Sequence, residues 1–249
     1  MAERTYEEVL QNVERWASQE ARRFGNTIAI LPNETSSPQT EDAMAKAKAV
    51  NFPINNNWEK ATDLETLKSE IEGCTKCELH LTRTNFVFGV GNPKAKVMVI
   101  GEAPGAEEDK RGEPFVGRGG QLLDKMLIAI NFPREEVFIA NILKSRPPGN
   151  RDPLASEVDA CEPYLWKQIE IIKPKMILCM GRVSGSNLLK TGTDSLASMR
   201  GNVYDYHGAK LMVTYHPAAL LRNPNWKAGA WEDLQKFRKI YDEMVASEG

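Results

Sequence analysis

Four short runs of the chain are almost continuously apolar and partly β-branched: KVMVI (96–100), VFIAN (137–141), MILCM (176–180) and KLMVTY (210–215). Stretches with helical periodicity separate them, GQLLDKMLIAI, ASEVDACEPYLWKQIEII and GSNLLK, and AWEDLQKFRKIYDEMV follows the last. Strands alternating with helices, each strand apolar on both sides, predict a parallel sheet covered by helices on both faces. The expected fold is α/β, a three-layer α/β/α sandwich around a four-stranded parallel sheet. Such sheets bind ligands outside the carboxyl ends of their strands, so the chemistry is sought there.

Upstream of the sheet the pattern changes. Residues 5–24, TYEEVLQNVERWASQEARRF, read as an amphipathic helix: Thr5 and Glu8 form a capping box, and Tyr6, Val9, Leu10, Val13 and Trp16 recur at helical spacing. Residues 31–62 are rich in Pro, Asn, Ser, Thr and Ala without a sustained period, the composition of a flexible linker. A short helix, DLETLKSEIEGC, starts at an Asp63 cap. The organisation expected is therefore an N-terminal helical extension with its linker (1–62) and a main domain (63–249). The extension reads as a tethered docking element for a protein partner.

A net charge of −2 over 249 residues excludes a histone-like polyanion binder, so any nucleic-acid site must be a local basic patch. No apolar run approaches the ~20 residues that span a bilayer, and MAERTYEEVL lacks the basic and apolar regions of a signal peptide. Four cysteines without secretory features fit a reducing compartment. The expectation is a cytoplasmic, monomeric protein with no membrane partner.

Every strand end carries polar chemistry. After the first run comes GEAPGAEEDKRGEPFVGRGGQLL, with three candidate site acids (Glu102, Glu108, Asp109), a lone aromatic (Phe115) and a glycine-rich helix entry (Gly117, Gly119, Gly120). Glycines there let backbone N–H groups approach a phosphate; a glycine-softened helix start is the plainer reading. The segment is neither a Walker loop nor a dinucleotide fingerprint. Asn141 ends the second run. An amide there can read a base edge or serve a turn. Lys144, Arg146 and Arg151 make the next loop basic, and Gly181-Arg182 follows the third run. After the fourth run comes YHPAALLRNPNWK. There His216 meets Pro217, and the apolar Leu220 and Leu221 stand beside Arg222 as a wedge would, or as ordinary packing residues. Together these groups describe a site for a polyanion with a polar head-group.

GCTKCELH adds Cys74 and Cys77, spaced to share one metal or cluster iron, but two thiolates do not complete a site.

The strings GEAPGAEEDKRGEPFVGRGGQLLDKML, NILKSRPPGNRDPLASEVDACEPYLWKQIEIIKPK and YHPAALLRNPNWK closely resemble the family 4 (type 4) uracil-DNA glycosylases, over roughly residues 64–245. The resemblance implies an enzyme of base-excision repair that flips uracil out of DNA and hydrolyses its N-glycosidic bond. It implies that Phe115 stacks on uracil beside Ala103, and that Asn141 bonds the polar edge. Glu102, assisted by Glu108, would handle water, and His216 would stabilise charge on the departing base. Gly117, Gly119, Gly120, Arg146 and Arg182 would meet the DNA backbone, and Leu221–Arg222 would fill the gap left by the base. None of the expected catalytic positions is substituted.

The family also implies a [4Fe–4S] cluster on four cysteines. Three match Cys74, Cys77 and Cys161; the remaining position is Ser145. Serine oxygen is a harder ligand than thiolate, so four outcomes stand open. They are a cluster on three Cys with Ser145 or another group, a three-iron cluster, free thiols, or zinc on three Cys with His80. The first is favoured, in a structural role. Cys179, inside MILCM, reads as a core residue. Two other functions compete: a non-catalytic uracil-DNA binding module of a repair or replication assembly, and a hydrolase of free nucleotides.

Overall fold

A computed structural model describes residues 56–192 and 194–247. The helix and capping box read over residues 5–24, and the linker up to residue 55, lie outside the described residues.

Residues 56–62, assigned to the linker by composition, are folded. Asn56–Lys60 form a 3-10 turn, and Trp58 and Ala61 are buried in the main apolar core. Trp58 meets the Tyr164 ring edge-on at 4.9 Å. Composition missed this anchor because one tryptophan among Asn and Lys creates no periodicity.

Helix α1 (Leu64–Ile71) begins where the sequence places it: Asp63 caps it, Oδ1 accepting from the Thr66 amide at 2.8 Å. The strands are β1 (Val90–Gly91), β2 (Val97–Gly101), β3 (Phe138–Asn141), β4 (Met176–Met180), β5 (Tyr204–Tyr206) and β6 (Ala209–Thr214). Between and after them run α2 (Ala106–Arg111), α3 (Arg118–Ala129), α4 (Ala155–Ile172), α5 (Arg182–Leu189), α6 (Leu196–Met199), α7 (Pro217–Arg222) and α8 (Lys227–Ala246).

The sheet has six strands rather than four, in the order β1-β3-β2-β4-β6-β5. Its centre, β3-β2-β4-β6, is the expected parallel set, and every residue of β2, β3 and β4 is buried. The two additional strands are antiparallel edges: β1 pairs with β3, and β5 with β6. Both are too short for a visible alternation. The β5–β6 hairpin turns through His207 (φ 47°) and Gly208 (φ 81°), the positive-φ pair of a two-residue hairpin turn.

Register sets the site. Gly101 of β2 pairs with Asn141 of β3, Ile100 with Cys179 of β4, and Met180 with Thr214 of β6. All four parallel strands therefore end at one level. From β2 the chain runs to β3 on one side, then crosses to β4 on the other, so the topological switch lies at the end of β2. Glu102 is the next residue. Among the described residues no helix is long and apolar enough to cross a membrane.

Candidate active site

The loop after β2 folds back through a turn held from three sides. Phe115 has φ 52°, a strained value for a side chain of this size, and is 7% exposed. Glu108 Oε1 accepts from the amides of Val116 (2.9 Å) and Gly117 (3.0 Å). Arg134 Nη2 donates to the Pro114 carbonyl at 2.7 Å, while its Nη1 donates to the Phe115 carbonyl at 3.3 Å and bonds Asp124 at 2.9 Å. A Cβ on Gly120 would stand 1.8 Å from the Phe115 carbonyl oxygen, so only glycine lets α3 approach this turn. Strain so constrained fixes the Phe115 ring.

Gly117 gives its N–H to Glu108, and Gly120 is buried against Phe115, so two of the three glycines read as phosphate contacts shape the aromatic turn. Gly119 lies on the Ala218 backbone, where a Cβ would be 3.5 Å from the Ala218 nitrogen. Asp109 is buried and accepts from the Thr84 and Asn85 amides, so it braces a loop. Sequence cannot tell which carboxylate faces amides and which faces a cleft.

Asn141 is 2% exposed. Among the described residues no partner takes its side-chain amide. A Cβ on Gly101 would lie 2.4 Å from Asn141 Oδ1 and 2.6 Å from the edge of the Phe115 ring. The amide and the aromatic edge thus converge over Gly101, whose lack of a side chain opens the space. Gly101 was not singled out from sequence; a single glycine directly after an apolar run reads as a strand end and does not show what lies over it.

Beneath Asn141 lies Lys144, fully buried. Its ammonium donates to the Asn141 carbonyl (2.8 Å) and to Gln168 Oε1 (2.7 Å), and burial lowers its pKa to about 8. The basic loop expected after β3 is therefore largely engaged with protein. Lys144 is a strut, Arg151 forms a fork with Glu157 (2.6 and 2.9 Å), and Arg146 Nε donates to Asn150 Oδ1 at 2.8 Å.

His216 caps α7, its Nδ1 accepting from the Ala218 amide at 3.1 Å. That bond places the ring proton of the neutral tautomer on Nε2. Burial lowers the His216 pKa to about 4, with the nearby Arg222 charge adding to it, so the ring is neutral at pH 7. Its ring stacks on Phe115, centroids 5.6 Å apart. Gly181, at φ 95°, backs it closely: a Cβ there would be 3.0 Å from His216 Cβ.

Glu102 is half-buried. Desolvation raises its pKa to about 7; Asp152 adds to the rise and Arg182 opposes it. Arg182 and Asp152 form an exposed pair at 3.7 Å, the kind worth little on its own. Ala103 is half-buried and packs against the core, while Leu221 and Arg222, read from sequence as part of a loop, are the exposed last two residues of α7.

The sulfur-bearing region lies under the loop after β3. Cys74 Sγ accepts from the Tyr164 hydroxyl (3.2 Å) and lies 3.5 Å from the Lys76 amide; Cys161 Sγ accepts from the Lys144 amide (3.2 Å). Cys74, Cys77 and Cys161 all act electrostatically on Arg83, whose Nη1 donates to Ser145 Oγ at 3.1 Å. Three sulfurs and one serine oxygen thus share a neighbourhood lined with N–H and O–H donors, as ligands of an iron–sulfur cluster do. The donor set fits a cluster held by three thiolates, with Ser145 at the remaining corner. Among the described residues no three His, Cys, Asp or Glu side chains stand close enough to hold a single metal ion. His80, offered as a zinc ligand, has Nδ1 2.7 Å from the Cys77 carbonyl. Cys179 is buried in β4, as read.

A sequence profile of the uracil DNA glycosylase superfamily matches residues 88–235. The chain is 43% identical over 184 residues to the type-4 uracil-DNA glycosylase of Archaeoglobus fulgidus, covering 71% of this chain and 92% of that protein. Identity is 47% over 185 residues to the Sulfurisphaera tokodaii type-4 enzyme, covering 71% and 84%. It is 44% over 180 residues to that of Thermotoga maritima, covering 71% and 94%. With the profile spanning the sheet and its strand-end loops, and such identities over most of the relatives' length, the chain belongs to the uracil-DNA glycosylase superfamily, on its type-4 branch.

Proposed function

We propose that this chain repairs DNA by extruding uracil into the space over Gly101 and hydrolysing the bond between N1 of the base and C1′ of the sugar. One observation carries the assignment of roles: a stacking ring, an unengaged amide and a neutral imidazole meet at the level where the parallel strands end.

Phe115 offers its face to the base, and the Asn141 amide bonds the polar edge. As the C1′–N1 bond breaks, its electron pair leaves on uracil. The neutral His216, with a proton on Nε2, donates to the developing charge at O2 without having to lose a proton of its own. One such donor contributes about 10²–10³ in rate. The sugar gains oxocarbenium character, which the Glu102 carboxylate complements. Water held by the same carboxylate then bonds to C1′ and gives Glu102 its proton. Glu108 acts by fixing the Phe115 turn. Arg182 and the Leu221–Arg222 segment face the DNA.

Cys74, Cys77 and Cys161, with Ser145, would hold the iron–sulfur cluster. Bound there, it would tie the segment after α1 to the β3 loop and α4; the hydrolysis needs no electron transfer. The enzyme acts as a monomer in the cytoplasm, and the residues before Asn56 dock a protein partner.

The test is uracil release from a labelled single-stranded oligonucleotide, scored by alkaline cleavage at the abasic site. Turnover that disappears in Asn141→Ala supports the reading. Well-folded protein that binds uracil-DNA without releasing base would overturn it.

A further inference from the structure

The segment that follows His216, α7 and the 3-10 turn after it, ends in an exposed ring that the chemistry above does not use. Trp226, closing that turn, is 42% exposed, and Leu221, near the end of α7, 43%. A tryptophan facing water normally has freedom to lose on binding. This one has been ordered in advance. Its indole stacks on Tyr215 with centroids 5.4 Å apart and planes at 24°. Tyr215 is held in turn by Arg200, whose guanidinium carbon lies 4.2 Å from the ring centroid and whose Nη1 donates to the phenol oxygen at 2.8 Å.

Arg200 is rooted deeper still. Asp233, 5% exposed, takes its Nε at 2.7 Å and its Nη2 at 3.1 Å, and also accepts from Thr214 Oγ1 at 2.7 Å, at the end of β6. A column of planar groups thus runs from a buried carboxylate outward and terminates in the Trp226 indole.

We propose that Trp226 is a stacking platform for a second nucleobase, the neighbour of the extruded uracil on the same strand. Extrusion unstacks that neighbour and leaves a π-face bare. An indole is a sequence-tolerant partner for such a face, and a preordered one loses little entropy on binding. Charge favours nucleic acid as the occupant: residues 215–231 carry Arg222 and Lys227 and no carboxylate. Position favours it too, since Tyr215, the ring under the indole, immediately precedes His216. The proposal rests on reading the Leu221–Arg222 segment as the DNA-facing edge, and the test separates the two.

The experiment measures Kd by fluorescence anisotropy for a single-stranded oligonucleotide whose one uracil sits on a non-hydrolysable 2′-fluoro sugar, with kcat and KM on its ordinary uracil-containing counterpart. The variants are Trp226→Leu, Trp226→Phe, Leu221→Ala and Arg222→Ala in the full chain. Trp226→Leu keeps apolar bulk but has no ring, and Trp226→Phe keeps a ring. Loss of one base stack raises Kd and KM about 5- to 150-fold in Trp226→Leu, with kcat and melting temperature unchanged and most of the loss recovered in Trp226→Phe. Wild-type affinity in Trp226→Leu, or equal loss in Leu and Phe variants, overturns the platform. So does a fall in kcat and melting temperature together, which would mean that the indole merely supports Tyr215 and His216. If Leu221→Ala and Arg222→Ala weaken binding while Trp226→Leu does not, the platform alone fails. If none of the three matters, the reading of that segment fails with it.

Discussion

The rings of Phe115 and His216 lie stacked, 5.6 Å between centroids and 27° between planes, although β4 separates the strands whose loops carry them. That spacing is ring-on-ring contact, so uracil cannot pass between the two. Because the ring is neutral down to about pH 4, His216 adds no limb to the activity profile between pH 5 and 8. His216→Ala lowers kcat about 10²–10³-fold and leaves KM for uracil-DNA close to that of the parent in steady-state assays.

Glu102 does titrate in that range. In the role proposed for it, the carboxylate is the form that holds water, and burial raises its pKa to about 7. kcat/KM therefore rises with pH below about 7 and levels off above it. Asp152→Asn removes a charge that raises this pKa, so the limb moves to lower pH; Arg182→Ala moves it higher. For stability the sign is opposite. A carboxyl with raised pKa favours the folded state at low pH, and that contribution is lost as pH climbs from about 4.5 to about 7. Identical pH profiles in all three proteins would remove Glu102 from the water-handling role.

Gly101→Ala closes the space in which the base binds. The added Cβ, 2.4 Å from Asn141 Oδ1 and 2.6 Å from Phe115, must displace one of them. Uracil release falls at least about 100-fold, a loss of near 3 kcal/mol in transition-state stabilisation. Affinity for undamaged DNA, which does not enter the pocket, stays as it was. Equal loss of both would mean that the variant is misfolded rather than blocked.

Lys144→Met leaves the Asn141 carbonyl and Gln168 Oε1 without their shared donor. Each buried acceptor so exposed costs roughly 1–3 kcal/mol, seen as a lower midpoint in urea. Because Asn141 sits on this strut, kcat falls too. A variant with full activity and the parental midpoint would show that the strut is dispensable.

Ser145→Cys supplies the thiolate that the donor set lacks. Iron and acid-labile sulfide in protein assembled anaerobically rise toward about four per chain, with stronger visible absorption and a higher melting temperature. The Arg83–Ser145 hydrogen bond at 3.1 Å is replaced in the process. No increase in iron over the parent would show that Cys74, Cys77 and Cys161 do not present their sulfurs to a common cluster.

Much of this protein is legible in one dimension because burial on both faces leaves a local mark. Continuous apolar runs place β2, β3, β4 and β6, and the helical stretches between them make those strands parallel. Parallel strands end together, which by itself brings Glu102, Asn141 and His216 to one edge of the sheet. What sequence could not determine depends on partners distant along the chain. The edge strands β1 and β5 exist only because β3 and β6 offer unpaired backbone, and at two and three residues they carry no alternation of their own. Asp109 and Glu102 are both acids near the end of β2. Which one braces amides and which one lines the cleft follows from where Thr84 and Asn85 come to rest. Lys144 looks like a surface cation until Asn141 and Gln168 close over it, and Trp226 looks like one more aromatic until Tyr215, Arg200 and Asp233 line up behind it. Local pattern reports how much of a residue is buried; which atom satisfies which is decided only when the chain closes on itself.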